Sequence, residues 1–217
     1  MGARVVYVHG LWLNGWESVL LRRRLSQQLG CESAAFAYRS VGADAAANAR
    51  ALGDFLRGLD VDTLHIVAHS LGGLMVLELF ERVLSPAGAF DDGRPLPPGR
   101  IVFLGSPVQG SRAAKNLAHL PFGRTLLGST AAEVLLAPRS RHWAGGRDLG
   151  VIAGDLSLGF GRLAGPLEQP NDGTVLVEET RIAGAKQHLT VHVSHSALVY
   201  SPTVARHAAT FLREGAF

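Results

Sequence analysis

The stretch Thr63–Gly73, TLHIVAHSLGG, decides the architecture of this chain. Thr63–Ala68 reads as a strand, and the chain then turns at Ser70 directly into a helix over about 71–85. On that helix Glu78, Glu81, Arg82 and Ser85 form one narrow polar stripe at i, i+3, i+4, i+7. Leu74, Met75, Leu77, Leu79, Phe80 and Val83 cover the rest, so the helix is expected to be largely buried. The turn itself, Ala68-His69-Ser70-Leu71-Gly72, is a version of the G-x-S-x-G pattern with alanine at the first small position. A sharp strained turn brings its flanking residues close, so a bulky side chain at either flank would clash. Five residues with one mismatch could be imitated by an ordinary strand-to-helix turn, and the surrounding elements therefore carry the argument.

Working outward, Arg4–Val8 reads as a buried strand and the segment from Trp16 to Leu29 as an amphipathic helix. A short strand over Ala34–Tyr38 and a helix over about 44–58 follow, the latter with Leu52, Phe55, Leu56 and Leu59 on one face. After the Ser70 turn come strands at Ile101–Leu104, Gly150–Ala153 and His188–Val193. A last helix has Ser201 as its cap and Pro202 at its first position. Residues 106–148 carry helical patterns around 112–120 and 130–137, enough for a crossover and little surplus. Strand–helix alternation of this kind implies an α/β protein with a mostly parallel six-stranded sheet and helices on both faces, because parallel neighbours need crossover connections.

The chain has 217 residues, which suits a single domain, 1–217. Hydrophobic residues at 47% and charged residues at 18% tilt the balance away from disorder. The single cysteine, Cys31, excludes an internal disulfide and a cysteine-based metal cluster, and reads as a small buried apolar side chain. The first apolar run, Val5–Val8, is too short for a secretory leader, and no run of about 20 apolar residues could span a bilayer. The expectation is a cytoplasmic protein without a transmembrane segment. Its net charge of +3 comes from scattered basic residues rather than a basic aromatic patch, so nucleic acid is not an expected partner.

Serine is a weak nucleophile that needs a neighbouring base, and the base needs a third group to orient it. In this order of elements the acid and then the base follow the serine. Among the later histidines, His188 and His192 belong to the last strand and His207 to the polar side of the final helix, whereas His195 lies in the loop beyond the strand's end. His195 is the expected base, with His192 its competitor; His119 and His142 precede the expected acid. For the acid, Asn171-Asp172-Gly173 is a tight-turn signature, yet a turn at the sheet's carboxyl edge also suits an orienting carboxylate. Asp172 is preferred and Asp155, directly after the fifth strand, is the alternative.

An acyl-transfer intermediate also needs N–H donors for its negative oxygen. One is expected from Leu71, after the nucleophile, and another from the loop opened by His9-Gly10-Leu11-Trp12. At this point the chain resembles the small bacterial lipases and esterases of the α/β-hydrolase superfamily. The matching pieces are Val8-His9-Gly10-Leu11, His69-Ser70-Leu71-Gly72-Gly73, Gly105-Ser106-Pro107 with Gly110-Ser111, Asn171-Asp172-Gly173-Thr174-Val175, and Ser194-His195-Ser196. They span nearly the whole chain in family order. The resemblance implies a minimal α/β-hydrolase fold with little or no lid, a Ser70-Asp172-His195 triad, backbone donors at Leu11 and Leu71, and carboxyl-ester hydrolysis of a small-molecule substrate. No cofactor, metal or obligate protein partner is implied. The departures are Ala68 for the usual glycine, and Ser106 and Val108-Gln109 where lipases often have threonine and an aromatic or histidine.

The triad does not encode the leaving group, so a thioesterase, amidase or acyltransferase is the neighbouring expectation. A non-catalytic hydrolase-fold binding module is the alternative of another class. Trp12, Trp16, Leu120, Phe122, Leu126 and Leu127 could line an acyl pocket, although apolar residues at such spacings more often belong to a core. Gly159–Ala164 matches G-x-G-x-x-A, but Gly165-Pro166 follows at once and a dinucleotide-binding helix is not expected there.

Overall fold

The computed structural model describes residues 2–85, 88–136, 140–159 and 165–217. Six parallel strands, β1 (Ala3–Val8), β2 (Glu32–Phe36), β3 (Thr63–His69), β4 (Ile101–Leu104), β5 (Leu149–Gly154) and β6 (Gln187–Val191), form one sheet in the order β2-β1-β3-β4-β5-β6. The helices are α1 (Val19–Leu29), α2 (Ala45–Arg57), α3 (Leu71–Arg82), α4 (Arg112–Ala118), α5 (Gly123–Leu136) and α6 (Pro202–Glu214). The parallel sheet with helices on both faces is the one expected from the alternation, and the whole is the minimal α/β-hydrolase fold that the resemblance implied. Most of the G-x-G-x-x-A segment lies outside the described residues.

Successive residues of a strand point to opposite faces, and the two cores follow that rule. Val6 and Val8 of β1, Ile66 and Ala68 of β3, and Ile101 and Phe103 of β4 face α2, α3 and α5. Val5, Tyr7, Val67, Val102 and Leu104 face α1 and α6. Strands buried on both sides are largely apolar, which is why β4 and β5 run without polar alternation, while β3 admits only His65 and His69 among its buried positions. Capping agrees with the chain's chemistry: Asp44 accepts from the Ala47 N–H at 2.6 Å and Ser201 from the Val204 N–H at 3.3 Å.

Five expectations need correction. The second strand lies at Glu32–Phe36, not Ala34–Tyr38, because the Tyr38 N–H is taken by the His9 ring rather than by a neighbouring strand. The last strand ends at Val191, and α3 ends at Arg82. Glu78 is not on a solvated stripe: it is fully buried and holds Arg141 at 2.5 Å and Arg82 at 2.8 Å. A buried carboxylate needs such partners to offset its desolvation. Cys31 is half-buried against the α1 and α6 side of the sheet.

The segment between β4 and β5 holds two helices. Gly128 breaks α5 at φ 73, where a side chain would meet the Val41 carbonyl at 2.4 Å. Among the described residues no helix is long and apolar enough to cross a membrane.

Candidate active site

Ser70 sits between β3 and α3 at φ 53, ψ −123, a backbone conformation that a non-glycine residue adopts only under constraint. The constraint is visible on both sides. The Ser70 N–H donates to the Leu104 carbonyl at 2.9 Å, and α3 is pressed so close to β1 that a side chain on Gly72 would lie 2.3 Å from the Val8 carbonyl. Gly73 is equally required, since a methyl there would meet Ser106 Oγ at 2.3 Å. The second small position of the motif thus reports helix-to-strand packing. The first is filled by Ala68, fully buried and paired with Val8 and Phe103.

Asp172 lies in the turn expected from Asn171-Asp172-Gly173, and the turn and the carboxylate are one device. Its Oδ1 accepts from the Thr174 and Val175 N–H groups at 3.0 and 2.7 Å, which leaves Oδ2 for His195 Nδ1 at 2.7 Å. The His195 N–H also donates to the Asp172 carbonyl at 2.8 Å, so ring and backbone are both tied to the acid. The two residues are 1% and 8% exposed. Glycines at the ends of β4 and β5 leave room for them. A side chain at Gly105 (φ 56) would come within 3.2 Å of both Asp172 Oδ2 and His195 Nδ1, and one at Gly154 would lie 2.9 Å from Asp172 Cβ.

The competing candidates find each other. His192 Nδ1 and Asp155 Oδ1 are 2.8 Å apart, but His192 is 76% exposed. No hydrogen bond ties that pair to the turn at Ser70.

Two histidines that the sequence did not single out complete the surroundings. His69 is buried; its Nε2–H donates to the His195 carbonyl at 3.2 Å, and the two rings lie 4.8 Å apart. Burial, then the proximity of His195, holds its pKa well below the usual histidine range, so it stays neutral. His9, fully buried, accepts from the Tyr38 N–H through Nε2 at 3.1 Å and therefore donates through Nδ1 to the Gly10 carbonyl at 2.7 Å. Its ring stacks on Tyr38 at 4.2 Å, and burial lowers its pKa as well. A histidine before a glycine or inside an elbow carries no signal of such a bond in its spacing.

The Gly10 peptide unit runs against the elbow: a side chain on Gly10 would touch Ser70 Cβ at 3.1 Å. Gripping the Gly10 carbonyl fixes the opposite end of that peptide, the Leu11 N–H. Neither the Leu11 nor the Leu71 N–H donates to another described residue. The structure therefore brings Asp172 and His195 into a direct hydrogen bond and Leu11 and Leu71 to the turn that bears Ser70. The Ser70 hydroxyl itself has no hydrogen-bond partner among the described residues. Such a contact is often long in the absence of substrate.

Of the apolar residues considered for an acyl pocket, Leu127 is core, whereas Trp12, Trp16, Leu120, Phe122 and Leu126 are exposed.

The chain matches the model of the alpha/beta hydrolase family over residues 5–212, and it belongs to that family. No curated protein matches it in sequence. In fold it is similar to a Bacillus licheniformis lipase in mature form, at 16% identity, TM-score 0.65, covering 99% of this chain and 92% of that one. A metagenomic carboxyl esterase aligns at 21% identity, TM-score 0.60, over 89% of this chain and 64% of the other. A thioesterase from the prodiginine biosynthetic pathway in Streptomyces coelicolor aligns at 14% identity, TM-score 0.57, over 96% and 85%.

Proposed function

We propose that this protein is a serine hydrolase that cleaves carboxylic esters through an acyl-enzyme on Ser70, with Asp172 and His195 completing the triad. The observation that carries the reading is the buried, hydrogen-bonded Asp172–His195 pair, tied through His69 to the turn that holds the serine at φ 53. Membership of the alpha/beta hydrolase family supports hydrolysis.

In this reading Ser70 Oγ attacks the ester carbonyl carbon while His195 Nε2 takes its proton. Asp172 Oδ2 accepts the Nδ1–H and stabilises the imidazolium. The carbonyl oxygen, now negative, is held by the Leu11 and Leu71 N–H groups, the latter assisted by the positive end of α3. Collapse expels the alcohol, protonated by His195, and leaves an acyl-serine. Water, deprotonated by the same ring, then releases the acid and restores Ser70. His9 and His69 act as positioning residues, one for the Leu11 donor and one for the loop that carries His195. Staying neutral, His69 adds no charge next to the imidazolium.

A fluorophosphonate probe is expected to label the wild type and not Ser70→Ala; equal labelling of both overturns the assignment. A p-nitrophenyl ester series of increasing acyl length, run beside the matching thioesters, separates ester from thioester preference. Faster turnover of the thioesters would move the substrate class and leave the residues in place.

A further inference from the structure

Five exposed apolar side chains are stitched into one collar beside the Ser70 turn. Trp12, Leu13, Val41, Phe122 and Leu126 are 59%, 36%, 39%, 83% and 54% exposed. The Trp12 indole N–H donates to the Leu126 carbonyl at 2.9 Å and the Trp12 N–H to Ser40 Oγ at 3.2 Å. The Leu126 N–H reaches the Phe122 carbonyl at 3.0 Å, and the Ser129 N–H reaches the Val41 carbonyl at 3.2 Å. The loops after β1, after β2 and between α4 and α5 are thus held as one surface. Trp12 follows Leu11 directly, so this surface borders the site.

The backbone is strained where the largest side chains emerge: Trp12 and Phe122 stand at φ 60 and φ 61. Bulky residues are held there only against a steric penalty, which packing usually offsets. Here the same two rings are among the most exposed apolar groups of the described residues: hydrogen bonds to Ser40 and Leu126 hold Trp12, but neither ring is buried among the described residues to offset its strain. An exposed apolar cluster of this kind marks a surface that meets a partner.

Charge identifies the partner. The segments that carry the collar, residues 9–17, 37–44 and 112–133, contain Arg39, Arg112, Lys115 and Arg124 against Glu17, Asp44 and Glu133, and each of these carboxylates is engaged: Glu17 with the Tyr7 hydroxyl and the Gly15 N–H, Asp44 with the Ala47 N–H, and Glu133 with Arg82 and the Ala45 N–H. Arg112 is paired with Glu168 at 3.6 Å. Arg39, Lys115 and Arg124 have no carboxylate partner among the described residues, and Arg124 is two residues from both Phe122 and Leu126. A second copy docked face to face would set these cations against their own kind, with the neighbouring carboxylates already held within their own chain. Aromatic side chains ringed by uncompensated cations suit an interface with an apolar interior and an anionic surface.

We propose that this collar docks the protein on the surface of an anionic lipid bilayer, with Phe122, Trp12 and Leu126 entering the interfacial region and Arg39 and Arg124 meeting the headgroup charges. The proposal stands on the collar alone. Joined to the ester reading, it sets Ser70 facing ester groups at the lipid–water boundary.

The test is flotation of the full chain, as Ser70→Ala so that no lipid is consumed, with vesicles of phosphatidylcholine alone or mixed with phosphatidylglycerol. Binding is expected at least tenfold tighter to the mixed vesicles, with quenching of tryptophan emission by brominated lipid. Arg39→Gln with Arg124→Gln is expected to weaken binding about 30-fold, at a few-fold for each cation. Phe122→Ser is expected to weaken it about tenfold. Both variants should keep wild-type thermal unfolding and, in a Ser70 background, wild-type hydrolysis of soluble p-nitrophenyl acetate. No binding to the mixed vesicles, or full binding by folded Phe122→Ser, overturns the proposal. A vesicle-free dimer that Phe122→Ser dissociates would assign the collar to a second copy and overturn it too. Vesicle binding without any ester hydrolysis would count against the Ser70 reading only, so the two failures are distinct.

Discussion

Two histidine–aspartate pairs stand near the carboxyl ends of β5 and β6, and their ring-to-carboxylate distances are almost equal: 2.7 Å for His195–Asp172 and 2.8 Å for His192–Asp155. What surrounds them differs. Asp172 also accepts two backbone N–H groups, and its own carbonyl takes the His195 N–H. The side chains of the first pair are 11% and 1% exposed, those of the second 76% and 34%. In water an ion pair gains little, because the dielectric screens it and two side chains must be immobilised. In a water-excluded site the same contact fixes tautomer and ring direction, and it acts strongly on any charge that forms there. Contact distance is therefore a poor guide to which pair does chemistry. Burial and the number of additional bonds on the carboxylate distinguish them.

The sharpest test of that contrast is Asp172→Asn. Asparagine cannot hold His195 in the tautomer that accepts the serine proton, so kcat is expected to fall about ten-thousandfold with little change in KM. Thermal unfolding of the variant checks that the loss is chemical. If Asp155→Asn caused the larger loss in the same steady-state assay, the assignment of the two pairs would be reversed.

Buried histidines whose pKa is lowered should also govern how stability responds to acid. His65 is pushed down to about 4, first by burial and then by Arg100, while its Nδ1 accepts the Arg100 N–H at 3.0 Å. The unfolded chain takes a proton on this ring below about pH 6.5, whereas the folded chain resists it until about pH 4, so stability falls as pH drops through that window. The loss from His65 is at most about 3.5 kcal/mol, at roughly 1.4 kcal/mol per pH unit. The lowered pKa values of His9 and His69 act in the same direction. His65→Asn, whose side-chain oxygen can take the place of Nδ1, should flatten the profile read by urea unfolding at pH 7, 5.5 and 4.5. A profile insensitive to His65→Asn would show that the ring does not stay neutral.

The alternation of strands and helices was legible because strands covered on both sides are largely apolar and helices on a sheet show a stripe of period 3.6. The candidates for the site were legible in part. Ser70 announces itself through the small residues its turn requires, and Asp172 and His195 through their order behind it. What the pattern could not carry were contacts between distant residues. Glu78 fell on a polar stripe because its partner Arg141 is 63 residues away. His9 and His69 read as incidental because the carbonyls they grip appear only once the chain is folded. Trp12 and Phe122 looked like core because apolar spacing says nothing of a φ near 60.

The tie between His69 and the His195 carbonyl is one of those contacts, and substitution separates its positioning role from packing. His69→Phe removes the donor and keeps a ring, whereas His69→Gln can place an amide N–H where Nε2–H was. The first is expected to lower kcat between tenfold and hundredfold through loss of alignment, with KM unchanged, and the second to recover most of it. Equal losses in both would reduce His69 to a space-filling role.

At the small end of the scale lies the exposed pair itself. Asp155→Asn removes a charge whose partner ring is mostly in water, so the expected changes are less than twofold in kcat/KM and within about 0.5 kcal/mol in stability. One observation could make the pair matter more: the Asp155 N–H donates to the Val191 carbonyl at 3.1 Å, which ties the end of β5 to β6 just before the loop that carries His195. That bond belongs to the backbone and survives the substitution. Asp155→Pro deletes it, and comparison of the two variants by steady-state kinetics separates the strand tie from the side-chain pair. A loss confined to the proline variant would assign any influence on His195 to the sheet, and an equal loss in both would give the exposed pair a role that its burial does not suggest.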